Sequence, residues 1–232
     1  MNNIDDIDFQ AGHVLLIDKP LHWTSFDVVN KVRYKIKHRL GIKKIKVGHA
    51  GTLDPLATGL LIICTGAFTK RIDEFQDQIK EYTGTFTIGS TTPSYDLETE
   101  IDATYPTEHI TTELLEAART SMIGDIQQYP PIFSAIKVDG KPMYKSARAG
   151  QEVEIKPRAV TIHEFELTKV ELPLIHFKIV CSKGTYIRSM AHDIGVALQS
   201  GGHLSSLRRT KSGDYSAENA WNLDDLVAVL EQ

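Results

Sequence analysis

The first third of the chain alternates short apolar runs with one long helical pattern. The apolar run at residues 13–18 predicts a buried strand that ends before Pro20, since proline has no N–H for a sheet. An apolar residue at every fourth position predicts a following helix, which Thr24 or Ser25 would cap and which would end at Gly41. The recurring apolar residues are Val28, Val32, Ile36 and Leu40.

The next segments have the shorter periods of strands. Residues 45–47 and 60–64 are predicted to be strands on either side of a glycine-punctuated loop at 48–59. Alternation at Tyr82, Gly84, Phe86 and Ile88 predicts a strand with these four residues on one face.

The second half combines strands, helices and one excursion. Residues 90–110 are predicted to be a polar loop or hairpin, and the Pro-, Tyr- and Lys-rich stretch at 127–152 an insertion with a turn at Asp139-Gly140. Strands are predicted at residues 159–170, 174–181 and 203–210, and helices at 112–122, from Thr185 to before Gly201, and at 223–230.

These elements predict the fold class and the domain organisation. Strands outnumber helices and are joined by hairpins as well as helices, so we expect an α+β fold with a mixed, largely antiparallel central sheet and flanking helices and loops. No repeat or low-complexity linker divides the chain, which predicts one domain over residues 1–232. Its core would span about 13–211, with an acidic C-terminal helix at about 222–232.

Composition excludes several classes of protein. The 232 residues are 41% hydrophobic and 24% charged, which is typical of globular proteins. The longest apolar run, at residues 60–64, is far shorter than the roughly 20 residues that span a bilayer. Residues 1–12 carry three aspartates and no basic residue, unlike a secretory signal, so we expect a cytoplasmic protein. Cys64 and Cys181 lie in apolar runs and are expected to be core thiols.

The charge distribution is more informative than the net charge of −4. Residues 31–50 contain eight basic residues and no acid, whereas residues 91–125 contain eight acids and a single arginine. Such a block is expected of a surface that binds phosphates, but it equally describes a solvated helix face. Charge alone leaves these two interpretations open.

The densest chemical signal is the segment VGHAGTLDPLATGLL at residues 47–61. Gly48, Gly51 and Gly59 permit close approach of the backbone to a ligand, and Pro55 stiffens the chain directly after Asp54. A stiff loop can direct a carboxylate at a substrate. Alternatively, Asp54 only caps a turn, as the aspartate of an Asp-Pro pair commonly does.

The second signal is the segment CSKGTYIRS at residues 181–189. A buried strand runs here into a turn and the start of a helix, and Arg188 lies about one turn inside that helix. Its planar guanidinium can pair with a carboxylate or a phosphate. A structural ion pair is the alternative.

Together these segments resemble the pseudouridine synthase B (TruB) family of tRNA-modifying enzymes. The resemblance runs in order from about His13 to Arg209, and the loop at residues 47–61 is its most specific part. It also includes the segments Lys19-Pro20, GAFTK at 66–70, the stretch at 129–150, SKGTYIRS and LRR at 207–209.

The resemblance implies the pseudouridine synthase fold and isomerisation of the uridine at position 55 in the tRNA T-loop. Asp54 matches the family's catalytic aspartate, acting either as nucleophile at C1′ or as base at C2′, and Arg188 matches the arginine that pairs with it. Tyr82 matches the active-site tyrosine, although a tyrosine in an alternating strand is usually a core residue. The reaction gains and loses no atoms, so we expect no cofactor and no metal.

Further residues match family positions that contact RNA. His49 matches the histidine that fills the space of a flipped base, although it could equally be an exposed residue. Tyr186 and Leu207 match contacts to the target nucleotide, although Leu207 could equally be a core residue. The residue types and the matching insertion suggest phosphate contacts from Lys19, Lys43, Lys44, Lys46, Lys137, Lys141, Lys145, Arg148, Arg208, Arg209 and Lys211.

In one respect the chain departs from the family. Many bacterial members continue into a small C-terminal RNA-binding module, which we expect to be missing or vestigial here because the sequence stops at Gln232. We expect a monomer whose partner is the T-arm of tRNA. A non-catalytic tRNA-binding chaperone is the main alternative, and a nucleoside-cleaving hydrolase a third.

Overall fold

The computed structural model describes residues 4–134, 137–138, 141–143 and 155–231. They form two compact units, residues 1–82 with 207–232 and residues 83–206, and each unit is described by itself. The expectation of one domain stays a prediction. None of the helices in the described ranges is long and apolar enough to cross a membrane.

The first unit contains a sheet covered by three helices. Its strands are β1 (Val14–Lys19), β2 (Val47–Ala50), β3 (Ala57–Thr65), the first residues of β4 (Lys80–Ile88), the second half of β12 (Gly202–Ser212), β13 (Tyr215–Ser216) and β14 (Trp221–Asn222). Its helices are α1 (Ser25–Arg39), α2 (Ile72–Gln76) and α5 (Leu223–Leu230), with 3-10 turns at Ile4–Asp6, Gly66–Arg71 and Ala217–Asn219. Along the sheet the order is β14-β1-β3-β12-β4, with β2 on β3.

Residues 60–64 of β3 are all apolar because both faces of the strand are covered. Leu61 and Ile63 belong to a cluster with the buried face of α1 and with α5, whereas Leu60, Ile62 and Cys64 belong to a cluster with Phe75 of α2. A strand that packs on both sides has a continuous apolar run rather than alternation. The buried strand predicted at 60–64 is thus confirmed and extends three residues further back.

Helix α1 follows the predicted period of four. Val28, Val32 and Ile36 are fully buried, while Leu40 is the C-cap and is 39% exposed. Thr24 is the N-cap: its hydroxyl accepts the N–H of Asp27, and the Asp27 carboxylate accepts the N–H of Thr24. Of the two predicted caps, Thr24 is therefore correct.

The predicted loop at 48–59 is shorter than expected. His49 pairs with Ile63 in the sheet, so β2 continues to Ala50, and β3 already begins at Ala57. Gly59, at φ +100°, lies inside β3 with Arg209 of β12 directly beside it. This glycine permits close approach of another strand rather than of a ligand.

The second unit is built around a long hairpin. It contains the rest of β4 and β12, β5 (Ser90–Thr91), β6 (Ala103–Thr104), β7 (Gly124–Gln128), β10 (Arg158–Glu171) and β11 (Leu174–Cys181), with helices α3 (Thr112–Ser121) and α4 (Ile187–Ala197). The strand order is β12-β4-β11-β10-β7. The antiparallel pairs β10–β11 and β10–β7 confirm the largely antiparallel α+β fold.

Strand β7 was missed because its sequence, GDIQQ, has a single apolar residue. Its pairing with β10 places Gln127 and Gln128 in the sheet, so the predicted insertion at 127–152 begins too early. Within that insertion β8 (Lys137–Val138) pairs with β9 (Lys141–Pro142). The predicted turn at Asp139-Gly140, and Lys145 and Arg148, lie outside the described residues.

Candidate active site

The candidate catalytic carboxylate lies on the short loop between β2 and β3. Asp54 is half-buried, the preceding Leu53 is 3% exposed, and the carbonyl of Asp54 accepts the N–H of Ala57 at 3.0 Å. The backbone on both sides of Asp54 is held by groups from the segment at residues 19–25. The aspartate therefore stands on a fixed loop, as the stiffness of Asp-Pro suggested.

Ser25 holds the residue before Asp54. The hydroxyl of Ser25 accepts the N–H of Leu53 at 2.8 Å and donates to the carbonyl of Leu53 at 3.1 Å. Ser25 itself is 2% exposed.

Lys19 and His22 hold the residue after Asp54. The N–H of His22 donates to the carbonyl of Pro55 at 2.8 Å, and the ammonium of Lys19 approaches the same oxygen at 3.5 Å. Lys19 also donates to the carbonyls of Pro20 (2.9 Å) and Trp23 (2.6 Å). Burial lowers the pKa of Lys19 to about 8, although the negative charge of Asp54 acts in the opposite direction.

Lys19 is fully buried, which corrects its assignment as an RNA phosphate contact. Arg209 needs the same correction, because it is 2% exposed. Its guanidinium donates to the carbonyl of Leu60 at 2.8 Å and to that of Gly51 at 3.1 Å, across the ends of the Asp54 loop. Both cations support the loop from inside because backbone carbonyls satisfy their donors.

Arg208 lies nearer to the surface and is already paired. Two guanidinium nitrogens contact the carboxylate of Asp18 at 2.9 and 2.7 Å, and the Arg208 side chain is 40% exposed. A phosphate contact would have to form beside this bidentate pair or replace it. This assignment stays a prediction.

Three other predicted site residues lie in the first unit. Tyr82 is buried in β4, and Leu207 is half-buried in β12 with Ala57 as its neighbour in β3. His49 is half-buried, and its Nδ1 has no hydrogen-bond partner within the described part of the chain. Burial and then the charge of Arg209 lower the pKa of His49, which favours the neutral ring. The RNA contacts assigned to these residues stay predictions.

Arg188 lies in the second unit, at the second residue of α4, and is 4% exposed. It donates to the carbonyls of Ser94 (3.2 Å) and Phe133 (3.0 Å), and its Nε lies 3.6 Å from the carboxylate of the buried Asp96. An ion pair within the unit was the alternative role for Arg188, and Asp96 supplies one. The pairing of Arg188 with Asp54 stays a prediction.

Tyr186 is fixed through its backbone by β7. The side-chain amide of Gln128 accepts the N–H of Tyr186 at 2.8 Å and donates to its carbonyl at 3.1 Å. Sequence reasoning missed Gln128 and Asp96 because each lies in a polar stretch without periodicity. Ser25 was noticed only as a possible helix cap.

Six residues of the basic block at 31–46 fall into two groups. Arg33, Lys35 and Arg39 bind protein groups: the carbonyl of Val47, the carboxylate of Glu231, and Asp5 with the carbonyl of Val229, respectively. Lys43, Lys44 and Lys46 are exposed between α1 and β2, and no ion pair holds them within the described ranges. These three are the lysines and arginines of this block that are exposed, and their contact with phosphates stays a prediction.

Solved structures resemble the fold over nearly its whole length. A chain of the "Cbf5-Nop10-Gar1 Complex" matches with a TM-score of 0.71 and 28% identity, over 95% of this chain and 54% of that one. A chain of an "H/ACA RNP bound to a substrate RNA containing 2'-deoxyuridine" matches with a TM-score of 0.67 and 26% identity, over 95% and 53%. The chain thus spans about half the length of these solved chains.

Residues 37–187 match the family model described as "TruB family pseudouridylate synthase (N terminal domain)". This match includes Asp54 and Tyr82 and assigns the fold to the pseudouridine synthases. Proteins named "tRNA pseudouridine synthase B" are similar almost throughout: 62% identity in Flavobacterium johnsoniae (92% of this chain, 93% of that one) and 59% in Phocaeicola vulgatus (97% and 96%). The chain belongs to the TruB family.

The C-terminal residues match the family as well, and the expectation that a further RNA-binding module is missing stays a prediction. Residues 188–232 match the family model described as "tRNA pseudouridylate synthase B C-terminal domain". That segment begins at Arg188 and contains α4, β12 and α5. A C-terminal segment of the family is therefore present in this chain.

Proposed function

We propose that the protein isomerises a uridine of tRNA to pseudouridine, and that the target is the uridine at position 55 in the T-loop. The observation that carries this proposal is the placement of Asp54 on a loop whose backbone is fixed on both sides, inside the segment that matches the family. A protein that only binds and refolds RNA would not need an oriented carboxylate.

The chemistry follows from what a carboxylate can do at a ribose. The N1–C1′ bond breaks, the uracil turns over, C5 bonds to C1′, and the hydrogen of C5 leaves as a proton while N1 gains one. Asp54 starts this series of reaction steps either as nucleophile at C1′ or as base at C2′. Atoms and electrons balance without a cofactor. In the described ranges, no group of three or more His, Cys, Asp or Glu residues is arranged to hold a metal ion.

The other site residues have roles that orient the carboxylate and the base. In this proposal Arg188 keeps Asp54 ionised, and Tyr82 stacks on the uracil with its phenol near C5. His49, with its ring favoured in the neutral form, occupies the space that the flipped base leaves, while Tyr186 and Leu207 contact the target nucleotide.

The proposed partner is the T-arm of tRNA, bound by a monomer in the cytoplasm. The exposed Lys43, Lys44 and Lys46 contact its phosphates, with Arg208 and the insertion residues Lys137 and Lys141 as further contacts. Shape and phosphate contacts dominate because the deep groove of an A-form stem cannot be read by side chains.

Incubation with an unmodified tRNA transcript, followed by nucleoside analysis, tests the proposal. We expect one pseudouridine per tRNA, and none when the uridine at position 55 is replaced by cytidine. Free uracil would identify a hydrolase instead, and unchanged uridine in a bound tRNA would identify a binding protein.

Neutralising the three exposed lysines should weaken RNA binding and its dependence on salt. In a variant with Lys43→Gln, Lys44→Gln and Lys46→Gln, fewer counterions are released, so the slope of log K against log[salt] should become shallower by roughly two. Fluorescence anisotropy at several salt concentrations measures this slope. The rate at saturating RNA should stay close to that of the wild type.

A variant with two lysine-to-glutamine changes elsewhere on the surface controls for the loss of positive charge in general. Lys70 and Lys169 are also exposed but have no proposed RNA contact, so Lys70→Gln with Lys169→Gln should keep the wild-type slope. Equal slopes for the wild type and the triple variant would remove these lysines from the interface.

A further inference from the structure

We propose that Ser25 is a positioning residue of the isomerisation, whose hydroxyl fixes the backbone directly before Asp54 and so sets the direction of the catalytic carboxylate. The inference rests on the proposed function and names a residue that acts through Asp54 rather than on the RNA.

The contact is unusually complete for one small side chain. A hydroxyl has one proton to donate and two lone pairs that accept. Ser25 donates its proton to the carbonyl of Leu53 and accepts the N–H of Leu53 with a lone pair. The hydroxyl oxygen lies 2.8 Å from the nitrogen of Leu53 and 3.1 Å from its carbonyl oxygen. Both residues are almost completely buried, so water does not offer these backbone groups an easy substitute.

Helix capping does not explain Ser25. The N-cap is Thr24, whose hydroxyl accepts the N–H of Asp27 while the Asp27 carboxylate accepts the N–H of Thr24. Ser25 is the first residue inside α1, and its hydroxyl bonds 28 positions along the chain. The adjacent hydroxyls of Thr24 and Ser25 thus have separate tasks, one in the helix and one in the Asp54 loop.

Ser25 belongs to a short segment that holds the Asp54 loop on both sides of the aspartate. Residues 19–25 hold the carbonyl of Pro55 through Lys19 and His22, and both backbone groups of Leu53 through Ser25. Without the hydroxyl, Leu53 loses both of these bonds, whereas the contact of Arg209 at Gly51 and the contacts at Pro55 remain. The Asp54 backbone can then rotate, and a carboxylate misplaced by about 1 Å loses roughly 10²-fold in rate.

Three variants test the inference: Ser25→Ala, Ser25→Cys and, as matched control, Thr24→Ala. The measurements are the single-turnover rate of pseudouridine formation at saturating T-arm RNA, the Kd for that RNA, and the melting temperature. For Ser25→Ala we expect a rate lowered about 10- to 100-fold and a Kd within about threefold of the wild type. Thr24→Ala removes the helix cap and should lower the melting temperature while keeping the rate within about twofold.

Ser25→Cys secures the test if the alanine variant does not fold. The thiol fills the same space but is a weak donor and acceptor, so this variant should fold and react at a rate between those of the serine and alanine forms. A cysteine variant as fast as the wild type would overturn the inference. The inference would also be overturned if the rate fell in proportion to the melting temperature in both Ser25→Ala and Thr24→Ala. A wild-type protein that forms no pseudouridine would instead overturn the proposed function, and the positioning role with it.

Discussion

Asp54→Asn should abolish pseudouridine formation and leave a folded protein that still binds RNA. The amide has nearly the same shape as the carboxylate but can act neither as nucleophile nor as base. The groups that fix the loop bind its backbone: Ser25 at Leu53, Lys19 at Pro55 and Arg209 at Gly51. These backbone contacts remain in the asparagine variant, so we expect its loop to keep its place. We expect the single-turnover rate to fall by roughly 10⁴-fold or more, the scale on which loss of such a group acts in other enzymes.

A neighbouring residue provides the control for this experiment. Thr52 lies on the same loop but is exposed, so Thr52→Ala should retain near wild-type turnover. RNA binding of all three proteins is measured by gel shift. If the asparagine variant kept a substantial fraction of wild-type turnover, Asp54 would not be the catalytic group.

Gly59→Ala should be among the most destabilising single changes in the first unit. Gly59 has φ +100°, and an added β-carbon would lie 2.3 Å from the carbonyl oxygen and 2.8 Å from the nitrogen of Arg209. These are atoms of the adjacent strand, so a side-chain rotation cannot relieve the clash. We expect a loss of about 3 kcal/mol or more in the free energy of unfolding, measured by urea denaturation.

Gly41→Ala separates this clash from backbone strain. Gly41 also has a positive φ of +63°, but nothing lies within 4 Å of the position of an added β-carbon. Its substitution should cost only about 1 kcal/mol, the strain of a left-handed backbone. Equal losses in the two variants would contradict the steric argument and leave backbone strain as the whole effect.

The parts of the fold that were predictable from the sequence have regularly spaced or continuous apolar residues. The buried stripe of α1 and the apolar run of β3 follow from spacing alone, because each buries a regular set of side chains. Strand β7 is different, since β10 supplies its hydrogen-bond partners and a polar sequence such as GDIQQ gives no local sign of pairing. Tertiary context decides such strands.

The candidate site likewise contains residues that could be predicted from the sequence and residues that could not. Asp54 could be found because a glycine-rich loop with Asp-Pro is distinctive and resembles one family. Lys19 and Arg209 were assigned to the surface because lysine and arginine are rarely buried. Only the fold brings several backbone carbonyls around each of these cations. The sequence therefore pointed to the candidate catalytic carboxylate but not to the buried residues that hold its loop.

The burial of Lys19 links folding of the first unit to proton release. Its pKa is about 8 in the folded protein against an ordinary value of 10.5, so between these two pH values the unfolded chain binds a proton that the folded chain has lost. Stability rises with pH wherever the unfolded state binds more protons, and this lysine therefore favours folding increasingly across that window. Below pH 8 the ammonium is charged in both states and its desolvation cost is present in full. At neutral pH the protein thus gives up some stability to keep a cation in its interior, next to the loop that carries the candidate catalytic carboxylate.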